Sequence, residues 1–174
     1  MIRTGLVILG LLLCAWSFAT GFRAGQDIRT NGDVVLFELA PVDPRELFLG
    51  DYMTLNYDLL EDETGLPEER KGIAWLSVDA DGVGRIVGYE GVTPQPEGTR
   101  RIRYSQRRRA RVSIGGERYY FQSGTGERYE DADYGIFRVM PDGRALLAGL
   151  ADEKRRPILT AGEAPSERSG LEAD

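Results

Sequence analysis

The sequence contains no histidine and a single cysteine, Cys14. Without histidine, the chain can form no Ser-His or Cys-His catalytic pair and no histidine metal site. One cysteine can form neither an internal disulfide nor a thiolate zinc site. Because these absences remove most familiar catalytic machinery, we predict no metal site, no cofactor and no catalytic residues. The composition favours a protein that is not an enzyme.

Charged residues are almost absent from the N-terminal segment. Arg3 is the only one before Arg23, and residues 5–22 are uncharged and rich in leucine, valine, isoleucine and aromatic residues. As a helix, this window is about 27 Å long, close to the roughly 30 Å hydrocarbon core of a bilayer. We therefore predict that residues 1–24 form a signal anchor with a transmembrane helix and that residues 25–32 form a linker.

The flanking charges mark the orientation of this anchor weakly, since Arg3 stands on one side and Arg23 on the other. Short N-terminal regions of this kind usually stay in the cytoplasm, so the rest of the chain is exported. We predict a single-pass protein of the inner (cytoplasmic) membrane whose domain lies on the periplasmic side.

Three alternatives to this anchor stay open. Ser17-Phe18-Ala19 has small residues at the spacing of a signal-peptidase site, which would release the domain into the periplasm after cleavage near Ala19. Lipidation of Cys14 is disfavoured because Leu13 occupies the position that needs a small residue. A buried helix of a soluble protein would show a polar face, and this window has none.

The overall charge argues against one class of partner. The chain carries 28 acidic and 22 basic residues, a formal net charge of −6. Nucleic-acid-binding proteins present an excess of positive charge to the phosphate backbone. We therefore predict no nucleic-acid partner.

Beyond the N-terminal segment the chain has the patterns of short antiparallel strands. In residues 51–60, Met53, Leu55, Tyr57 and Leu59 alternate with more polar residues, which predicts a strand with one buried face. Asp-Gly pairs stand between apolar runs at two places, and each pair predicts a β-hairpin. The pairs are Asp81-Gly82 and Asp142-Gly143.

These patterns predict one domain over residues 33–151. About eight strands indicate a mainly β fold, either an antiparallel β-sandwich or a partly open barrel. Asp43 at a helix N-cap position and Gly50 at the far end predict one short helix. Residues 152–174 are charged and lack an apolar period, so we predict a disordered tail.

An arginine-rich strand is a second feature of the domain. Five arginines at odd positions would project to one side of an extended chain. They are Arg101, Arg103, Arg107, Arg109 and Arg111. This face suits an anionic partner, either lipid headgroups or an acidic protein surface, because arginine binds phosphate and carboxylate through paired hydrogen bonds. A solvated face that prevents edge pairing explains it as well.

Residues 50–57 match the pattern G-D-Y-x-x-L-x-Y at every fixed position, and Val42-Asp43-Pro44-Arg45 precedes them. Downstream, residues 117–121 form an aromatic segment that leads to Gly124-Thr125-Gly126. In these segments the chain resembles the bacterial GDYXXLXY protein family. The resemblance implies a small protein with an N-terminal membrane segment, often associated with multi-spanning membrane proteins, and it supplies no catalytic residues.

The motif residues are the candidate site, in a structural or a binding role. They are Asp43, Arg45, Gly50, Asp51, Tyr52, Leu55 and Tyr57. Asp51 and the tyrosines suit a ligand site, whereas backbone hydrogen bonding and core packing explain the same residue types as fold chemistry. Both interpretations stay open at this point.

The sequence therefore leads to one hypothesis and one alternative. The hypothesis is a non-enzymatic, membrane-tethered extracytoplasmic β module that serves as an accessory or assembly partner of another envelope membrane protein. The alternative is a ligand-binding or carboxylate-dependent enzyme module centred on the motif.

Overall fold

The structure is a computed structural model and describes residues 2–40, 52–60, 67, 69–107 and 111–159. It opens with a long helix, α1, over Ile2–Asn31. The segment 25–32, predicted as a linker, is therefore helical up to Asn31. Local hydrogen bonds sustain these last turns, because Asn31 Nδ2 donates to Asp27 Oδ1 at 2.7 Å and Thr30 Oγ1 donates to the Gln26 carbonyl at 3.0 Å.

Nine strands and one 3₁₀ turn follow α1 within the described residues. The strands are β1 Asp33–Glu38, β2 Tyr52–Thr54, β3 Lys71–Val78, β4 Gly84–Tyr89, β5 Arg100–Arg107, β6 Arg111–Ser113, β7 Arg118–Tyr120, β8 Tyr134–Val139 and β9 Ala145–Ala151. The 3₁₀ turn is Gly126–Tyr129. Within the strand predicted over residues 51–60, Tyr52–Thr54 form a continuous β ladder. Further along, Tyr57 and Leu60 form isolated β bridges.

The strands form three antiparallel sheets with the orders β1-β8-β9, β2-β7 and β4-β3-β5-β6. Both predicted Asp-Gly hairpins are confirmed. Gly82 has φ of 80° and Gly143 has φ of 83°, a conformation that glycine adopts without steric cost. In the first turn Asp79 Oδ1 accepts hydrogen bonds from two backbone amides, so the turn is fixed by its own side chain.

Backbone hydrogen bonds join these sheets into a half-barrel. Leu36 N donates to the Gly82 carbonyl at 2.9 Å, which links β1 to the start of β4. On the other side, Arg103 N donates to the Gly143 carbonyl at 2.8 Å, which links β5 to the β8–β9 turn. The mainly β, antiparallel prediction is therefore confirmed. The short helix predicted over residues 43–50 lies outside the described residues.

The interior of the half-barrel is filled by apolar side chains from both large sheets. Phe37 of β1 and Phe137 of β8 are fully buried and meet edge to face at 5.2 Å between ring centroids. The other buried members of this core are Val35, Leu59, Ala74, Leu76, Ile86, Tyr89, Ile102, Tyr104, Val112, Ile114 and Val139.

The C-terminal end of α1 is fastened to the half-barrel. The carbonyl of Gly32 accepts a hydrogen bond from Arg138 Nη1 at 3.1 Å, and Arg144 Nη2 lies 3.6 Å from Asp27 Oδ2. A cation at this end is favourable because the last helical carbonyls carry partial negative charge. Where side chains are described, no helix meets the length and hydropathy needed to cross a bilayer.

The ordered chain extends past residue 151, where we predicted a disordered tail to begin. Ile158 N donates to the Leu150 carbonyl at 2.8 Å, and Arg156 binds the Asp152 carboxylate at 2.6 Å. Ile158 also packs against the buried Leu150. After Ala151 the chain turns back, and its contacts with Leu150 and Asp152 order a segment whose composition predicted disorder. Residues 160–174 lie outside the described residues.

Replacing Phe137 tests the central packing. Phe137→Ala should lower the free energy of unfolding by about 3–5 kcal/mol, because a buried aromatic ring is replaced by a cavity. Denaturant unfolding of the full chain in detergent measures it. Val92→Ala is the control, since Val92 is 51% exposed and its truncation should cost under about 0.5 kcal/mol. Equal effects of the two changes would contradict this core.

Candidate functional site

The motif strand pairs with the second segment on which the family resemblance rests. In the β2–β7 ladder Tyr52 lies opposite Tyr120, Met53 opposite Tyr119, and Thr54 opposite Arg118. Beyond the ladder, Leu55 N donates to the Glu117 carbonyl at 2.8 Å. Two segments that are more than fifty residues apart in sequence therefore form one ribbon.

The inner face of this ribbon forms a small core of its own. Met53 and Leu55 are 2% and 1% exposed, and both pack with the buried Tyr129 and Leu150. Tyr129 lies at the end of the 3₁₀ turn, and its ring contacts that of Tyr119 at 5.1 Å. The fixed leucine of the motif is thus a packing residue.

Tyr57, the last fixed residue of the motif, is partly buried and packs against the main core. Its hydroxyl donates to the Gly116 carbonyl at 2.8 Å, and its ring meets Phe137 edge to face at 5.4 Å. Gly135 lies against the ring, since a Cβ there would come within 2.7 Å of Tyr57 Cε1. Burial, and secondarily the charge of Glu117, raises the pKa of Tyr57 well above its ordinary value. The phenol is therefore a neutral hydrogen-bond donor.

The Gly115-Gly116 turn, whose carbonyl accepts the Tyr57 hydrogen bond, is stabilised by a contact that the sequence did not predict. Ser113 is buried, and its hydroxyl hydrogen-bonds to Glu117 Oε1 across Gly115 and Gly116. Gly116 has φ of 76° and packs against Phe137. The Gly-Gly pair gave the signal for a turn, but the sequence did not show which tyrosine it would meet.

Tyr52 faces outward. Its ring lies 5.6 Å from that of Tyr120, and the Arg118 guanidinium sits 5.7 Å above it. This arrangement is a half-exposed aromatic and cationic surface on the outer side of the ribbon. The other motif candidates, Asp43, Arg45, Gly50 and Asp51, lie outside the described residues.

A cleft of about 240 Å³ opens beside the motif strand. Buried Met53, Leu55 and Tyr129 form its floor, and Glu130 and Asp133 stand on its rim. Both carboxylates are exposed to solvent. A carboxylic acid catalyst needs a desolvated or paired carboxyl group, and this rim provides none. Neither Tyr52 nor Tyr57 lines the cleft.

Carboxylates elsewhere in the described residues give no metal site. No group of three or more His, Cys, Asp or Glu side chains there is arranged to hold a metal ion. Asp58, which follows the motif, lies 3.8 Å from Arg85 Nη1, and Arg85 also binds Glu38 at 2.7 Å. These acids belong to a surface ion-pair network.

The arginine face is partly neutralised within the chain. On β5, Arg101 binds Glu90 at 3.1 Å, and Arg103 lies 3.6 Å from Asp142. Ile102 between them is fully buried, so the strand alternates as the sequence predicts. The β5–β6 register places Arg107 opposite Arg111, which brings these positions together at the hairpin end. Arg109 lies outside the described residues.

A family model, that of the GDYXXLXY protein, matches residues 18–150. The chain belongs to the GDYXXLXY family. This confirms the resemblance, and the match covers α1 from Phe18 onward together with all nine strands up to Leu150. Comparison with curated proteins found no match, and comparison with solved structures found none either.

Within this GDYXXLXY protein, the fixed residues of the motif that the structure describes have identifiable roles in the fold. Leu55 fills the small core, Tyr57 pins the ribbon to the Gly116 turn, and Tyr52 stacks on the ribbon's outer face. These contacts account for the residue types without a bound ligand.

The buried tyrosines predict a loss of stability at alkaline pH. An unfolded tyrosine ionises near its ordinary pKa of 10.0, whereas the folded protein keeps Tyr57 protonated and holds the pKa of Tyr89 at about 12, chiefly through burial. Unfolding therefore releases protons above about pH 10, and the free energy of unfolding should fall as pH rises, by up to about 1.4 kcal/mol per pH unit for each tyrosine.

Denaturant unfolding between about pH 9 and 12 measures this slope. Tyr57→Phe should reduce it, because the variant has no phenol to ionise at this position. The control is Phe137→Leu, which weakens the same core but should keep the slope. A Tyr57→Phe protein with an unchanged slope would show that this phenol ionises alike in both states.

Proposed function

We propose that this GDYXXLXY protein is a non-enzymatic, membrane-tethered β module on the extracytoplasmic side of the inner membrane. It serves as an accessory or assembly partner of another envelope membrane protein. The helix α1 supplies the tether, and the half-barrel is the part displayed to the partner.

The observation that carries this proposal is the exposure of apolar side chains on every side of α1. Leu11, Leu12 and Leu13 are 65%, 62% and 61% exposed, and consecutive helical residues point about 100° apart. Trp16 and Phe18 are 72% and 77% exposed. Exposing apolar surface to water raises the free energy by about 25 cal/mol per Å². Lipid or another apolar helix must therefore cover these side chains.

The length of the helix supports the same conclusion. Residues 5–22 contain no charge, and the first charged residue after them, Arg23, is exposed. The window is about 27 Å long as a helix, which a bilayer accommodates by slight thinning. The half-barrel then begins after a further helical segment, on the far side of Arg23.

The hairpin between β5 and β6 is the surface that we assign to the partner protein. Residues 107–111 contain four arginines and no acid. Arg101 and Arg103 bind acids of the same chain, which lowers the net positive charge that they present to a partner protein. An acidic surface on the partner would complement the charge at the hairpin end.

The alternative, a ligand-binding or carboxylate-dependent enzyme module, has weaker support. It requires the motif tyrosines and Asp51 to line one concave pocket. Tyr57 is packed in the core with its hydroxyl bound to a carbonyl, and the cleft beside the motif strand is lined by neither tyrosine.

Membrane fractionation tests the tether. The tagged full-length protein should stay with the membrane pellet after alkaline carbonate washing, and N-terminal sequencing should find the residues before Ala19. Placing arginine at both Leu11 and Leu12 should move most of the protein to the soluble fraction or block its insertion, since each arginine costs about 2.5–3.5 kcal/mol at a membrane centre. Leu11→Ile with Leu12→Ile is the control.

A soluble full-length protein after the carbonate wash would refute the tether. An N-terminus at Thr20 would show instead that a signal peptide is cleaved. These two results are separated by the mass of the recovered chain.

Pull-down from detergent-solubilised membranes tests the partner. The full-length protein should recover a membrane protein, and Arg107→Gln, Arg109→Gln and Arg111→Gln together should reduce that recovery several-fold. Arg101→Gln with Arg103→Gln is the matched control and should have a smaller effect, because both residues bind acids in the same chain. Equal recovery with all variants would exclude docking through this face.

A further inference from the structure

The tertiary structure gathers arginines around the base of α1 from three distant parts of the sequence. We call this set the arginine collar; it consists of Arg23, Arg29, Arg100, Arg103, Arg138 and Arg144. Arg23 and Arg29 lie on the exposed surface of the helix. Arg138 and Arg144 lie on β8 and at the start of β9, the strands that contact the helix. Arg100 and Arg103 lie on β5 against Asp33 and Asp142.

Contacts with the helix end and with the first residue of β1 fix the collar in place. Arg138 Nη1 donates to the Gly32 carbonyl at 3.1 Å, and Arg100 Nη1 binds Asp33 Oδ2 at 2.8 Å. Arg144 bridges Asp27 at 3.6 Å and Asp142 at 2.6 Å. The collar therefore surrounds the point at which the helix enters the half-barrel.

The collar keeps an excess of positive charge. The ion pairs that the structure gives for these six arginines involve three acids, Asp27, Asp33 and Asp142, whereas the whole chain has a net charge of −6. Arg100 and Arg103 remain 49% and 56% exposed in their side chains. Each guanidinium has five donors, so an ion pair through one or two nitrogens leaves others for a second anion.

The end of the β1–β8 pair that lies away from α1 is acidic. The β1–β8 register runs from Asp33 opposite Val139, beside the helix, to Glu38 opposite Tyr134 at the far end. Residues 127–133, which precede Tyr134, hold four acids and one basic residue. This acidic segment therefore lies at the end of the β1–β8 pair that is away from α1.

The length of the helix places the collar close to a membrane surface. Residues 23–31 separate the apolar window from β1 and span about 14 Å as a helix. The headgroup layer takes up roughly 5–8 Å of that distance. The remaining gap of about 6–9 Å is within the Debye length of about 8–10 Å at physiological salt, so the collar lies inside the field of an anionic bilayer.

We propose that the arginine collar binds the phosphate groups of anionic phospholipids and holds the half-barrel against the membrane surface. This inference rests on the proposed membrane tether. Guanidinium groups pair with phosphate through two parallel hydrogen bonds, and a layer of anionic headgroups attracts basic side chains that lie within about a Debye length of it. The acidic far end is then directed away from the bilayer.

Hydrogen exchange of the full-length protein in nanodiscs tests the collar. One set of discs contains phosphatidylcholine alone, and the other contains phosphatidylcholine with about three-tenths phosphatidylglycerol, a composition that gives the surface the negative potential on which the collar acts. Peptides that cover residues 99–103 and 138–145 should exchange several-fold more slowly in the anionic discs. Peptides that cover residues 126–133 should not change. Half-molar salt should abolish the difference.

Two variants with the same change in charge complete the test. Arg29→Gln, Arg100→Gln and Arg103→Gln together should remove the protection, while the helix contacts of Arg138 and Arg144 stay intact. Arg118→Gln, Arg128→Gln and Arg156→Gln, all away from the collar, should keep it. Circular dichroism checks that both variants are folded, and the salt comparison on the unmodified protein does not depend on any variant.

The outcomes separate this inference from the proposed tether. A protein that enters the discs but exchanges alike in both lipid compositions refutes the collar and leaves the tether standing. A protein that does not remain with the discs refutes both. Protection that survives high salt or the loss of the collar arginines would also refute headgroup binding.

Discussion

The hydrogen bond from the Tyr57 hydroxyl to the Gly116 carbonyl joins the parts of this fold. This hydrogen bond connects the end of the motif strand to the turn before β7. The Tyr57 ring also packs edge to face against Phe137 in the main core. A polar hydroxyl is stable at such a place because its one donor is satisfied and its ring is enclosed by apolar groups. Together with the packing of Met53 and Leu55 against Leu150, this link fixes the β2–β7 ribbon on the half-barrel.

A β ladder joins the two segments on which the family resemblance of this chain rests. The motif strand and the aromatic segment of β7 are partners in one ladder, so a change in either alters the surface that the other packs against. Met53 and Leu55 cover Tyr129, which in turn lies against Tyr119 and Phe121. In this chain the pattern thus corresponds to a local packing unit.

Much of the fold was predictable because its signals are local. The Asp-Gly pairs at residues 81–82 and 142–143 marked hairpins correctly, since the turn conformation depends on residues within it. Alternation predicted the buried faces of residues 53–59 and 102–104. Composition did not show that residues 25–31, within the predicted linker, continue α1 as a helix in which Asn31 hydrogen-bonds to Asp27. It also did not show the ordered reversal after Ala151, because the hydrogen-bond partner of Ile158 is Leu150 on β9.

The sequence alone determined the apolar N-terminal window, the strand periodicity, the hairpin turns and the family motif. Each of these depends on residue types within a few positions of one another. Tertiary structure decided which charges cancel and which remain, because Arg100 meets Asp33 and Arg138 meets Gly32 across separations of 67 and 106 residues. It also decided that Tyr57 packs against the main core with its hydroxyl bound to Gly116 and that the arginines gather around the helix. No local pattern specifies contacts over such distances, since they depend on how the sheets curve toward each other.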